Sequence, residues 1–104
     1  MASRHHVLST VNKTVILSCH PQIIADVDWM YQTSETAQQH RVYQTGDIFE
    51  DYVDRFTTNR TDNGVCSLII NYAQLNDSGI YTCIEDTGFN DTKHLFYVNV
   101  TGEL

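Results

Sequence analysis

Three cysteines, five histidines and five N-x-S/T triplets are the chemically distinctive residues of this 104-residue chain. Cys19, Cys66 and Cys83 allow one disulfide and leave one thiol over. His5, His6, His20, His40 and His94 form no i, i+4 pair and no cysteine joins them in a C-x-x-C cluster, so a zinc site lacks its usual spacing. The adjacent His5 and His6 would hold a metal only weakly. No G-x-S-x-G elbow and no phosphate-cradling glycine loop occurs. The acidic residues do not fall in a chelating loop, which argues against calcium. The expectation is a chain with no catalytic residue, no metal and no cofactor.

The triplets begin at Asn12, Asn59, Asn76, Asn90 and Asn99 and are acceptors for N-glycosylation. Such density in a short chain exceeds chance and predicts passage through a secretory pathway, with those asparagines on the surface. A net charge of −7 argues against nucleic acid, which requires a basic face for its phosphates. It argues equally against contact with anionic lipid, and serves solubility. No run of about 20 apolar residues is present to span a membrane. Residues 1–6 carry no apolar segment of a signal peptide and are expected to be an appended or disordered start of an excised ectodomain.

The elements that must position these residues are strands. Helical periodicity is absent, and short alternating stretches recur between turn signals. Strands are predicted at 14–19, with Val15, Leu17 and Cys19 facing a core, and at 27–32, with Val27 and Trp29 inward and Met30 and Gln32 outward. Further strands are predicted at 41–44, near 48–49, at 55–57, at 65–70 with Cys66, Leu68 and Ile70 buried, at 79–85 and at 93–100. The fold class expected is all-β, in a single domain spanning 1–104. So short a chain buries a modest core, and a covalent cross-link matters to it.

Asp77-Ser78-Gly79-Ile80-Tyr81-Thr82-Cys83, with Cys19 and Trp29 upstream, resembles a variable-type (V-set) immunoglobulin superfamily domain over nearly the whole chain. The resemblance implies a two-sheet Greek-key sandwich, with Cys19 on strand B bonded to Cys83 on strand F and Trp29 of strand C packed on the bridge. It implies that the Tyr81 hydroxyl returns to main chain at the E–F corner and that Arg55 pairs with Asp77 beneath the sandwich. All of these are structural roles, and Asp77 makes its neighbour Asn76 the weakest glycan acceptor. A bridge closing 64 residues would stabilise the fold, by roughly 4 kcal/mol on a loop-entropy estimate. It also requires an oxidising compartment, so the domain is expected to be extracellular. Cys66 is then left on the buried face as a small apolar residue, with an intermolecular disulfide as the alternative.

Recognition is the function such a domain implies. Alternation places Met30, Gln32, Ile84, Leu95 and Tyr97 on the outer face of the sheet formed by strands G, F, C and C′, joined by Tyr43. A contiguous apolar patch there would mark a protein interface. The B–C, C′–C″ and F–G loops offer a second site, with Phe89 as an anchor at the F–G tip. Residues 93–98 lack the Phe-Gly-x-Gly bulge of rearranging antigen receptors. The resemblance therefore implies the ectodomain of a cell-surface immune receptor or co-receptor, or an adhesion protein. A secreted or viral decoy and a structural spacer are the alternatives. Its partner would be another immunoglobulin-like or histocompatibility-type (MHC-like) surface protein, or a second copy in a homodimer.

Overall fold

The computed structural model describes residues 2–20, 27–44, 47–61, 65–86 and 91–102, and in them the alternating stretches fold as nine strands. These are β1 (Ala2–Thr10), β2 (Val15–Cys19), β3 (Val27–Gln32), β4 (His40–Gln44), β5 (Asp47–Ile48), β6 (Phe56–Arg60), β7 (Cys66–Ile70), β8 (Gly79–Asp86) and β9 (Asp91–Thr101). One sheet has the order β1-β9-β8-β3-β4-β5 and the other β2-β7-β6. Two short 3-10 turns, Glu50–Tyr52 and Leu75–Asp77, complete the described elements.

Period-2 patterning decides which face each strand buries. On β2, Val15, Leu17 and Cys19 are buried while Ile16 is exposed; on β7, Cys66, Leu68 and Ile70 are buried. From the larger sheet Val27, Trp29, Tyr81, Cys83, Phe96, Val98 and Val100 close the core. Cys19 and Cys83 are bonded, and their Cα atoms lie 6.4 Å apart. Trp29 is fully buried and its ring centroid lies 5.5 Å from that of Phe96. Among the described residues its Nε1–H meets no acceptor, a cost the surrounding apolar burial outweighs. Cys66 lies in the core and outside the disulfide.

The lower corner is built from polar groups that satisfy one another. The Tyr81 hydroxyl donates to the Asp77 carbonyl at 2.6 Å. Arg55 donates from Nε at 3.1 Å, and again from Nη2, to Asp77 Oδ1. Asp77 Oδ2 accepts the Gln74 N–H at 2.8 Å, so one carboxylate caps the 3-10 turn and neutralises a guanidinium. The Arg55 guanidinium also lies 4.9 Å from the centre of the Phe56 ring. Burial holds the Tyr81 hydroxyl well above the ordinary tyrosine range, with the Asp77 charge adding to it. Tyr31 is raised by the same two causes, against the opposing pull of Arg55. For Arg55 burial works against the charge, but the hydrogen bond and field of Asp77 outweigh it, and the net shift is upward.

The start of the chain is ordered where it is described. Residues 2–10 form β1, which runs parallel to β9 from Ala2↔Lys93 to Thr10↔Thr101, so residues 2–6 are not the disordered segment that was one of the two expectations for 1–6. Aromatic side chains hold it there. His5 stacks on Phe96 with centroids 4.9 Å apart, and His6 on Tyr97 at 5.3 Å.

Candidate functional site

Register across the six-stranded sheet shows which side chains share its outer face. Arg4, Leu95, Thr82, Met30 and Arg41 stand in one row across β1, β9, β8, β3 and β4. His6, Tyr97, Ile80 and Gln32 make the next row, and Lys93, Ile84 and Asp28 the row on the other side. Met30, Ile84, Leu95 and Tyr97 are thus brought together, each half-buried by its neighbours. Ile80 and Thr82 are buried between them. The result is a low apolar centre of side chains already held in place, framed by exposed Arg4, Arg41 and Lys93. Such a surface loses little side-chain freedom on contact, which favours recognition over chemistry.

Two residues expected on this face do not present themselves there. Gln32 stands in the outer row, yet it is buried because the following loop folds over it. Its amide donates to the carbonyls of Ser34 at 2.8 Å and Glu35 at 3.3 Å, and its Oε1 accepts from Gln39 Nε2 at 2.9 Å. Tyr43 lies in the core, only 5 % exposed. The cause is a register shift: Tyr43 opposes Trp29 while Arg41 opposes Met30, so β4 carries one extra residue at Val42. The bulge turns Tyr43 inward and leaves the outer position to Arg41. Phe89 and Asn90, with most of the three loops proposed as a second site, lie outside the described residues.

The lower part of the face opens into a groove of about 570 Å³ lined by His6, Leu8, Glu35, Ile80, Tyr97 and Asn99 among others. The Tyr97 hydroxyl donates to Glu35 Oε1 across it at 3.3 Å. Leu8 is 81 % exposed and sits opposite Asn99 in the β1–β9 ladder. Asn12, Asn59, Asn76 and Asn99 are all exposed. Asn59 is on the outer face of the smaller sheet, opposite Ser67. Asn12 accepts a hydrogen bond from Gln74 Nε2 at 3.3 Å, which puts it beside the turn that carries Asn76.

A polar chain that sequence reasoning missed ties β1 to the sheet. Ser3 Oγ lies 2.7 Å from His94 Nδ1 and 3.2 Å from His5 Nε2, and His94 Nε2 lies 3.4 Å from Glu85 Oε2. The two ring nitrogens of His94 thus face a hydroxyl on one side and a carboxylate on the other. Glu85 is buried, and the presence of β1 supplies its histidine with a serine. Among the described residues no three His, Cys, Asp or Glu side chains are gathered to hold a metal ion. No helix of the described residues is long and apolar enough to cross a membrane.

A disulfide-bolted pair of sheets with a tryptophan on the bond and a tyrosine at the corner defines an immunoglobulin-type sandwich. The profile of the immunoglobulin V-set domain matches residues 3–101, and the chain belongs to that family. Its members are generally non-catalytic binding modules. Among solved structures, the chain is similar to the second Ig domain of the mouse polymeric immunoglobulin receptor, with a TM-score of 0.78 and 18 % identity. That likeness covers 98 % of this chain and 100 % of the other, and concerns the fold. No curated protein sequence matches this chain.

Proposed function

We propose that this domain is an extracellular recognition module of a cell-surface receptor or co-receptor, and that it binds another protein through the outer face of its six-stranded sheet. The partner is an immunoglobulin-like or histocompatibility-type ectodomain, or a second copy of this chain. The observation that carries the reading is the contiguous set Met30, Ile84, Leu95 and Tyr97, four half-buried apolar side chains from three adjacent strands. Scattered surface apolars are ordinary, whereas a joined patch with an aromatic and a methionine is the composition of an interface centre.

The acceptor asparagines support the same face by exclusion. A glycan on Asn59 would cover the smaller sheet, and glycans on Asn12 and Asn76 would cover the corner below it. Asn99 would carry its glycan at the groove end of the binding face, and among the described residues no acceptor asparagine stands in its upper part, around Met30, Ile84 and Leu95. The disulfide supports an oxidising compartment.

The test pairs Ile84→Ala with Tyr97→Ala. Both side chains point away from the core, so the sandwich should stay folded; because Tyr97→Ala also removes the ring on which His6 of β1 stacks, Ile84→Ala alone and amide exchange of β1 serve as controls. Self-association is measured by light scattering over a concentration series, and hetero-association against arrayed immunoglobulin-type and histocompatibility-type ectodomains. Loss of whichever association the parent protein makes is the expected result. Undiminished binding by the double variant would reject this face.

A further inference from the structure

Cys66 stands directly opposite Cys19 in the antiparallel β2–β7 ladder, and Cys19 is bonded to Cys83 of the other sheet. All three are buried. Directly opposed residues of an antiparallel pair have Cα atoms about 4.5–5.5 Å apart. That separation falls inside the range of roughly 4.4–6.8 Å that a disulfide spans, as does the 6.4 Å of the existing bond. Cys19 therefore has two partners within reach of one backbone arrangement, one across the core and one beside it in its own sheet.

The position of the pair makes the second partner accessible. Cys19 is the last residue of β2 and Cys66 the first of β7, so they form the terminal rung of their ladder. β2 is also the edge of its sheet. Opening that rung frays one strand end and pulls no strand from between two others, which is the least costly kind of local opening.

We propose that the core disulfide is exchangeable, with Cys66 as the resident thiol that takes over the bond to Cys19. When the rung opens, Cys66 gives its proton to solvent and the thiolate attacks Cys19 Sγ. The Cys66–Cys19 bond forms as the Cys19–Cys83 bond breaks, and the electron pair leaves on Cys83 Sγ, which takes up a proton. No oxidant or reductant is consumed. The product ties two strands that are already hydrogen-bonded neighbours, and the two sheets lose their covalent link. A thiol is left at Cys83 on β8, beside Trp29.

The folded protein is incubated in mixed reduced and oxidised glutathione at mildly alkaline pH without denaturant, with near-ultraviolet circular dichroism recorded throughout. Samples are then quenched in acid, alkylated and cleaved before aspartate. Cleavage at Asp26, Asp62, Asp77 and Asp86 puts each cysteine on its own peptide. The expected result is a cross-linked peptide pair carrying Cys19 and Cys66, with Cys83 alkylated, from protein whose dichroism remains native. Cys66→Ala, under the same conditions, gives no such pair and releases no Cys83 label beyond what reduction alone produces. Finding only the Cys19–Cys83 pair at every glutathione ratio would overturn the proposal. So would a Cys19–Cys66 pair that forms only once the native dichroism is lost.

Discussion

Asp77 is the residue whose removal should reveal most about how the lower corner is held. Its carboxylate is 5 % exposed and serves three donors: Arg55 Nε and Nη2 on one oxygen and the Gln74 N–H on the other. Asp77→Ala strips the cap of the 3-10 turn, worth about 1 kcal/mol. It also removes charge-assisted hydrogen bonds worth about 1.5–3 kcal/mol when shielded. Arg55 is 36 % exposed, so water takes back part of the second contribution. The sum is about 3 kcal/mol. For a domain of this size, with a urea dependence of roughly 1.5 kcal/mol per molar, the midpoint should fall by about 2 M.

Asp77→Asn keeps an acceptor for Gln74 and should lose about half as much. The double variant with Arg55→Ala should be less destabilised than the two single changes added, because each alone strands the other's charge or donors. Urea unfolding followed by tryptophan fluorescence of Trp29 measures the parent and all four variants. A midpoint shift below about 0.5 M for Asp77→Ala, or strict additivity in the cycle, would refute the argument that this carboxylate is the hub of the corner.

Three other outcomes follow from named groups. Tyr31 and Tyr81 have raised hydroxyls, so their contribution to stability is complete below the unfolded-chain value of 10.0 and is lost as pH climbs through the folded values. Alkaline titration of tyrosinate absorbance should leave these two silent until the fold melts, and their early ionisation in native protein would contradict the burial. Gly79 has φ +151°, and an added Cβ would lie 2.6 Å from the Gln32 carbonyl oxygen and 2.8 Å from the Tyr31 ring. Gly79→Ala should therefore cost about 2–4 kcal/mol in chemical denaturation, and a neutral result would mean that β8 enters the sheet differently. Ser3→Ala should speed amide exchange along β1 while leaving β7 protected, since Ser3 links β1 to His94 and Glu85; uniform protection would show that the polar chain does not hold the strand.

The alternation of Val15-Ile16-Leu17-Ser18-Cys19 and of Cys66 to Ile70 made β2 and β7 legible, because one face of each is apolar without exception. The outer positions of Met30, Ile84, Leu95 and Tyr97 followed from the same period, counted from Trp29, Cys83 and Val98. What period-2 counting cannot register is an extra residue. Val42 displaces Tyr43 by one step, and nothing in Arg41-Val42-Tyr43-Gln44 announces it, since both neighbours of Val42 could pack or face water. Gln32 was hidden for another reason: its cover is a loop, and loops have no period. β1 was invisible because Arg4, His5 and His6 are not strand formers. They become a strand only because Phe96 and Tyr97 offer rings to stack on, a tertiary effect that overrides local preference.

The parallel seam between β1 and β9 sets how the domain would carry tension. Ala2 lies beside Lys93 and Thr10 beside Thr101, so the chain enters at one pole and leaves at the other. A pull on the two ends acts along the seam, about 25–30 Å of it by strand rise. The rungs are then loaded in shear, all together, instead of being unzipped one at a time. A sandwich gripped in this way yields only when many hydrogen bonds fail at once, and up to that force it behaves as a stiff link in whatever it joins.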